Sequence, residues 1–336
     1  MNSTSRPTLR TIAQATGLAV ATVSRALAED PLIAEKTRKL VAEKARELGY
    51  IPDRAAQRLR TGRTKVVQLL LNLDHEFLGF THDLLGGLTE ALEGTGYSVT
   101  LFPDIVRTDR MTAVRRIVEN RLGDGLIINR TEPFDPRVRY LTERGFPFVS
   151  HGRTEFTTPH PYVDYDNEAF ARAAVTRLAE KGRSRILMIM PSPRFTFTQH
   201  LRYGLASTCR LRGLHWETPE EVTTETAPEQ LSAWLRQRLS AEDRPDGVIC
   251  MGEVSAISTL AALSDVGLQS GREVDLVAKR ASAIFTLMRP HIDTVFEDLW
   301  ETGRSMGRTL LRSMAGEAAE ELAVLQSPTL EFIPHG

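Results

Sequence analysis

The period of the apolar positions changes along the chain and divides it. Residues 8–27, TLRTIAQATGLAVATVSRAL, carry helical spacing. Thr8 is placed to cap a first helix with Leu9, Ile12 and Ala13 on one face. Gly17 follows at a turn, where a residue without Cβ takes positive φ at no steric cost. A second short helix, about 20–27, turns Val23 and Leu27 inward and Val20, Ala21, Ser24 and Arg25 outward. Helix, glycine turn, helix is a DNA-reading pattern whose second helix enters the major groove. A third helix over about 33–48 has apolar residues at Ile33, Leu40, Val41, Ala45 and Leu48, with Gly49 at its stop.

Pro52 then disfavours helix at Ile51, and Asp53 is a good N-cap for a short helix over 54–60. Ala56 and Leu59 share a face of it, flanked by Arg54, Arg58, Arg60 and Arg63. One exposed leucine among arginines suits a wedge between base steps in the minor groove, with the cations on phosphates. The pattern thus predicts a head over 1–50, a hinge over 51–65 and a body over 66–336.

In the body, strand and helix patterns alternate. VVQLLLNL (66–73) is a continuous apolar run suited to a buried parallel strand. Further strands are expected at 97–102, 125–129, 146–150, 185–190, 247–251 and 274–278, with helices between them and a last helix over about 297–315. Such alternation argues two doubly wound parallel sheets, which bind ligands beyond the carboxyl ends of their strands.

Net charge, −1 overall, hides a split. Residues 1–65 hold 13 Lys and Arg against 6 Asp and Glu; the remainder holds 29 against 37. A basic head on an acidic body fits a nucleic-acid binder with a separate sensor. Cys209 and Cys250 have no paired spacing, and the eight histidines are scattered, so no disulfide framework, metal site or cofactor is implied. No run reaches the length of a membrane span and no signal-peptide core is evident, so a cytoplasmic protein is expected. A catalytic nucleophile–base set is not visible, which argues against an enzyme.

TVSRAL (22–27), KTRKLVAEKARELGYIPDRAAQRL (36–59) and the alternation of the body resemble the LacI/GalR family of bacterial transcription regulators. The resemblance covers the whole chain. It implies a helix-turn-helix head on an α/β, periplasmic-binding-protein-like body of two doubly wound parallel-sheet lobes. Lobe one would span about 66–163 and 294–320; lobe two would span about 164–293 and 321–336. It further implies a repressor of a carbohydrate-utilisation operon, a homodimer or a higher oligomer, bound to a near-palindromic operator and controlled by a small-molecule effector. The residues expected on DNA are Thr8, Val20, Ala21, Thr22, Ser24 and Arg25 from the head, and Arg54, Ala56, Leu59 and Arg60 from the hinge.

For the effector, the resemblance points to Asp74 at the end of the first strand, Phe80 as a stacking aromatic, and Asp166 at the lobe junction. It also points to Arg153 in HGR and to Arg202 in LRYGLAST, matched to the family's Arg-x-x-Gly segment. Three departures stand out. The family's Asn-Asp after the GVICM strand is Gly252-Glu253 here, and its Asp pair after VDLVA is replaced by Lys279-Arg280-Ala281. Lys and Arg only donate hydrogen bonds, so a neutral sugar or oligosaccharide and an anionic sugar derivative both stay open. In the head, Ala19 replaces the usual Ser or Thr cap, and Val20 and Ala21 touch thymine methyls rather than pair with base edges. A carbohydrate-binding protein or sugar-converting enzyme with a basic N-terminal arm is the reading from another class.

Overall fold

The computed structural model describes residues 7–51, 58, 61–71, 79–103 and 109–334. The chain divides into two compact units, Met1–Thr64 and Lys65–Gly336.

The first unit packs α1 (Leu9–Thr16), α2 (Val20–Leu27) and α3 (Glu35–Glu47) around Ile12, Val23, Ala26, Val41 and Ala45. Thr8 caps α1, its hydroxyl accepting from the Thr11 amide. Gly17 closes α1 at φ 70°, the left-handed turn that reverses the chain into α2.

In the second unit the order is β1 (Val66–Leu71), α4 (Phe80–Leu92), β2 (Ser98–Pro103), α5 (Arg110–Glu119), β3 (Gly125–Asn129), α6 (Pro136–Glu143), β4 (Phe148–His151) and β5 (Tyr162–Tyr165). The second half continues as α7 (Asn167–Glu180), β6 (Arg185–Met188), α8 (Thr196–Arg212), β7 (His215–Glu217), α9 (Pro228–Leu239), β8 (Gly247–Cys250), α10 (Glu253–Asp265) and β9 (Asp275–Arg280). It ends with α11 (Ile284–Leu287), β10 (Asp293–Phe296), α12 (Leu299–Met314), β11 (Ala323–Gln326) and β12 (Thr329–Glu331).

Two six-stranded sheets result, ordered β11-β5-β4-β3-β1-β2 and β12-β10-β9-β8-β6-β7. All described pairings are parallel except that of β12 with β10. Each sheet buries apolar side chains on both faces, as doubly wound sheets must. In lobe one, α4 and α12 touch backbone to backbone: a Cβ on Gly87 would lie 1.8 Å from the Trp300 carbonyl oxygen. Cys209 and Cys250 are buried thiols in separate cores, with no disulfide between them, and burial pushes Cys209 up to about 11.

The lobe boundaries differ from expectation. β10 lies within the second sheet although 294–320 was assigned to lobe one, and β11 joins the first sheet although 321–336 was assigned to lobe two. β5 also completes the first sheet as far as Tyr165, two residues beyond the expected edge. These strands are four residues long, and β11 alternates exposed and half-buried residues, so none presents the apolar run that marks a central strand.

Candidate functional site

In the head, α2 presents Val20, 41% exposed, and Ala21 to solvent, with Thr22 and Ser24 half-buried. Ala19 supplies no side-chain cap. Arg25 is exposed, and its Nε donates to Asp30 Oδ2 at 2.8 Å. Arg54, Ala56, Leu59 and Arg60 lie outside the described residues, as does Asp74.

In the body, a cleft of about 840 Å³, part of it open to solvent, runs between the carboxyl ends of the two sheets. Lobe one lines it with Phe80 from the first turn of α4, Asn129 and Arg130 from the end of β3, His151 and Gly152 from β4, and Asp164 and Tyr165 from β5. Lobe two and the crossovers add Asn167, Pro191, Phe197, Thr224, Met251, Lys279 and Glu297. Parallel strands place their last residues at one edge, which is why separate segments converge here.

Polar atoms on the lobe-one wall are incompletely paired. Asn129 Oδ1, Asp164 Oδ2 and the Tyr165 hydroxyl are buried without a hydrogen-bond partner. Buried polar groups left unsatisfied are uncommon and costly. Arg153 Nε approaches Asp164 Oδ2 to 3.1 Å without hydrogen-bond alignment, so that oxygen keeps acceptor capacity. Burial pushes the Asp164 carboxyl up to about 6, against the opposing pull of Arg153. Burial also raises the Tyr165 hydroxyl and lowers His151, keeping both neutral near pH 7.

The strand end carrying Asn129 is fixed from behind. Fully buried Arg137 donates to the carbonyls of Asn129 and Arg130 at 2.9 and 3.1 Å and pairs with Asp135 at 2.7 Å. Arg130 has φ 53°, uncommon for a side chain with Cβ, and that turn is what the network holds. Across the rim, the Thr131 carbonyl accepts from the Thr196 amide at 2.9 Å, and Arg130 stacks over buried Phe195, 5.0 Å from its centroid.

Lobe two meets the cleft differently. Lys279 is buried, and its ammonium pairs with Glu297 at 3.1 Å and donates to Asn167 Oδ1 at 2.7 Å. It also sits 4.2 Å from the Tyr165 ring centroid. Its charge is compensated within the protein.

Of the residues named for the effector, Phe80 and Lys279 line the cleft, while five others lie elsewhere. Arg153 stands behind Asp164. Asp166 caps α7, accepting from the Ala169 amide at 2.8 Å. Glu253 is fully buried and accepts from the Ala281 and Ser282 amides at 2.8 Å each, so it fixes the turn after β9. Arg280 follows Lys279 in β9 and therefore takes the opposite face. There it pairs with Glu331, at 2.7 Å from Nε, and covers Phe296. Arg202 donates to Thr218 Oγ1 at 3.2 Å, away from the cleft. It stands two residues before Gly204, and the position three before is Leu201, buried in the core. One helical step is about 100°, enough to turn Arg202 off the inner face.

Residues that sequence reasoning missed include Asn129, Asp164, Tyr165 and Phe197. Asn129 ends the expected strand 125–129, where the strand-end rule points to it; the same rule would have found Asp164 and Tyr165 had β5 been recognised.

Residues 8–53 match the family described as bacterial regulatory proteins, lacI family, and residues 175–334 match a periplasmic binding protein-like domain. The HTH-type transcriptional regulator AglR of Rhizobium meliloti (strain 1021) is 30% identical over 273 residues, 80% of this chain and 76% of that protein. The chain belongs to the LacI family. It is a helix-turn-helix transcriptional regulator, not an enzyme, in a family that binds operator DNA. The HTH-type transcriptional regulator RafR of Escherichia coli is 27% identical, covering 95% of this chain and 96% of that one. Among solved structures, the lac repressor dimer bound to operator and the anti-inducer ONPF superposes with a TM-score of 0.81 at 19% identity, over 97% of this chain and 98% of that one. A transcriptional regulator CelR–cellobiose complex gives 0.68 at 24%, over the same shares. These last two likenesses speak to the fold. Among the described residues, no helix is long and apolar enough to cross a membrane.

Proposed function

We propose that this regulator is a cytoplasmic homodimeric repressor of a carbohydrate-utilisation operon, and that a neutral sugar or oligosaccharide in the body cleft controls it. The observation that carries the reading is the set of unpartnered polar atoms on lobe one. Asn129 Oδ1 and ionised Asp164 Oδ2 accept and cannot donate, and Tyr165 adds a hydroxyl. Sugar hydroxyls satisfy such atoms. The aromatic faces of Phe80 and Phe197, on opposite lobes, suit the apolar faces of pyranose rings. That CelR was solved with cellobiose accords with this chemistry.

An anionic sugar derivative is disfavoured. The cations that kept it open are engaged, Lys279 with Glu297 and Arg280 with Glu331.

The mechanism is linkage. Operator DNA favours the state in which two heads, reading through Val20, Ala21, Thr22, Ser24 and Arg25, are joined by paired hinges carrying Ala56 and Leu59. Effector favours another closure of the cleft. Its effect on DNA affinity can be no larger than its differential affinity for the two states.

The test begins with an operator selected from random DNA by the full chain, followed by gel shifts. Neutral sugars are expected to change operator affinity, and Leu59→Ser to weaken it by about 2–3 kcal/mol while sparing effector binding. No selectable operator, or an operator complex indifferent to every sugar, would refute the reading.

A further inference from the structure

Asp164 is an unusual group to find in a ligand cleft. It is 3% exposed and one of its oxygens has no hydrogen bond. Oδ1 accepts from the Tyr165 amide at 2.9 Å. The cation nearest to Oδ2 is Arg153, at 3.1 Å, and its placement is built in. The Thr131 hydroxyl donates to the Arg153 carbonyl at 2.8 Å, which fixes the turn after β4. The far end of the same guanidinium, Nη2, reaches His200 Nδ1 at 3.4 Å, in α8 of the other lobe. The fork therefore runs from the cleft carboxylate to the seam between lobes.

We propose that Arg153 is a positioning residue of the effector site: it holds Asp164 as a carboxylate, so that Asp164 accepts a ligand hydroxyl and repels a ligand carboxylate or phosphate. This rests on the reading of the cleft as the effector site.

The surrounding charges leave that role to Arg153. Glu297 faces Asp164 and disfavours its ionisation, but it is paired with Lys279. His151 is kept neutral by burial. Tyr165 stays protonated. Burial and Arg153 both lower His200, and Glu155, 3.8 Å from it, works the other way. The remaining help for the charged form comes from the backbone amides of Tyr165 and Arg153. An opposite charge at this distance shifts a carboxyl by about one to three units. With Arg153 present the carboxyl titrates near 6, so Asp164 is ionised at neutral pH. Without it the midpoint moves into or above the neutral range, and Asp164 becomes an acid that donates.

The experiment follows the Asp164 side-chain carbon by ¹³C NMR in full-length, aspartate-labelled protein, assigned by its loss in Asp164→Asn. The midpoint is expected about one to three units higher in Arg153→Gln than in wild type. Arg153→Met serves as a second neutral variant should the first not fold. In Arg153→Lys, which keeps a cation, the midpoint is expected between the two. An unchanged midpoint in the neutral variants overturns the proposal. A second arm measures cellobiose and maltose binding against pH. Loss of affinity in Arg153→Gln at neutral pH, recovered in alkali, is expected. If Asp164→Asn binds these probes as wild type does, the effector reading fails for Asp164. If Asp164→Asn loses binding while the midpoint ignores Arg153, the effector reading stands and the Arg153 proposal falls.

Discussion

The two walls of the cleft handle buried polarity in opposite ways. At the strand ends of lobe one, Asn129, Asp164 and Tyr165 each carry a buried atom without a hydrogen bond, and only Asp164 has a charge, Arg153, beside it. On lobe two, Lys279 is closed off by Glu297, Asn167 and the Tyr165 ring. Both arrangements cost desolvation energy. Lys279 and Glu297 recover it internally. Arg153 offsets part of it for Asp164, and the rest is recovered when a ligand supplies the missing hydrogen bonds, so lobe one selects and lobe two shapes.

The sharpest way to break this contrast is Lys279→Met. It strands Glu297 in a buried site, and removing one partner of such a pair costs about 3–5 kcal/mol. Urea unfolding is expected to show a loss of that order. A loss below about 1 kcal/mol, the scale of an exposed pair, would mean the pair is solvated.

Asp164→Asn comes next and separates binding from stability. Its folded-state value, about 6, is raised above 3.8, so the native state holds the extra proton between those values. Ionised Asp164 therefore costs stability, a cost absent below about 3.8 and fully present above about 6. Asn carries no such cost. At neutral pH the variant is expected to melt at or above the wild-type temperature while effector affinity falls by about 1.5–3 kcal/mol, the value of a hydrogen bond to a charged group. A lower melting temperature at neutral pH and an equal one in acid would reverse the sign and refute the burial argument.

Arg280→Gln removes the pair with Glu331 and is expected to cost about 1 kcal/mol or less, with effector preference unchanged. A changed preference would return Arg280 to the cleft. The smallest effect belongs to Arg202→Ala: its partner is Thr218, so the effector dose-response is expected to match wild type.

The same contrast explains what the sequence made legible. Long apolar runs such as VVQLLL and GLIIN announce central strands, and amphipathic stretches announce helices such as α12. The head was readable because its spacing and its turn glycine are local. β5, β7, β10, β11 and β12 were not, being short and stabilised by neighbours distant in sequence. The site suffered most from this. Asp164 and Tyr165 belong to the unrecognised β5, and β10 leads into Glu297. Lys279 and Arg280 differ by one step along β9, so composition alone could not say which faces the ligand. Arg202 was misplaced by one residue of helical phase.

The central claim is that the lobe-one wall selects a neutral polyhydroxylated effector. Its most direct test is a thermal-shift screen of the full-length protein at neutral pH with matched pairs, each sugar beside its aldonic acid and its phosphate. Stabilisation by at least one neutral sugar, with its acid and phosphate weaker by about tenfold or more, is the predicted result. An acid or phosphate that stabilises the protein more than its parent sugar would contradict it.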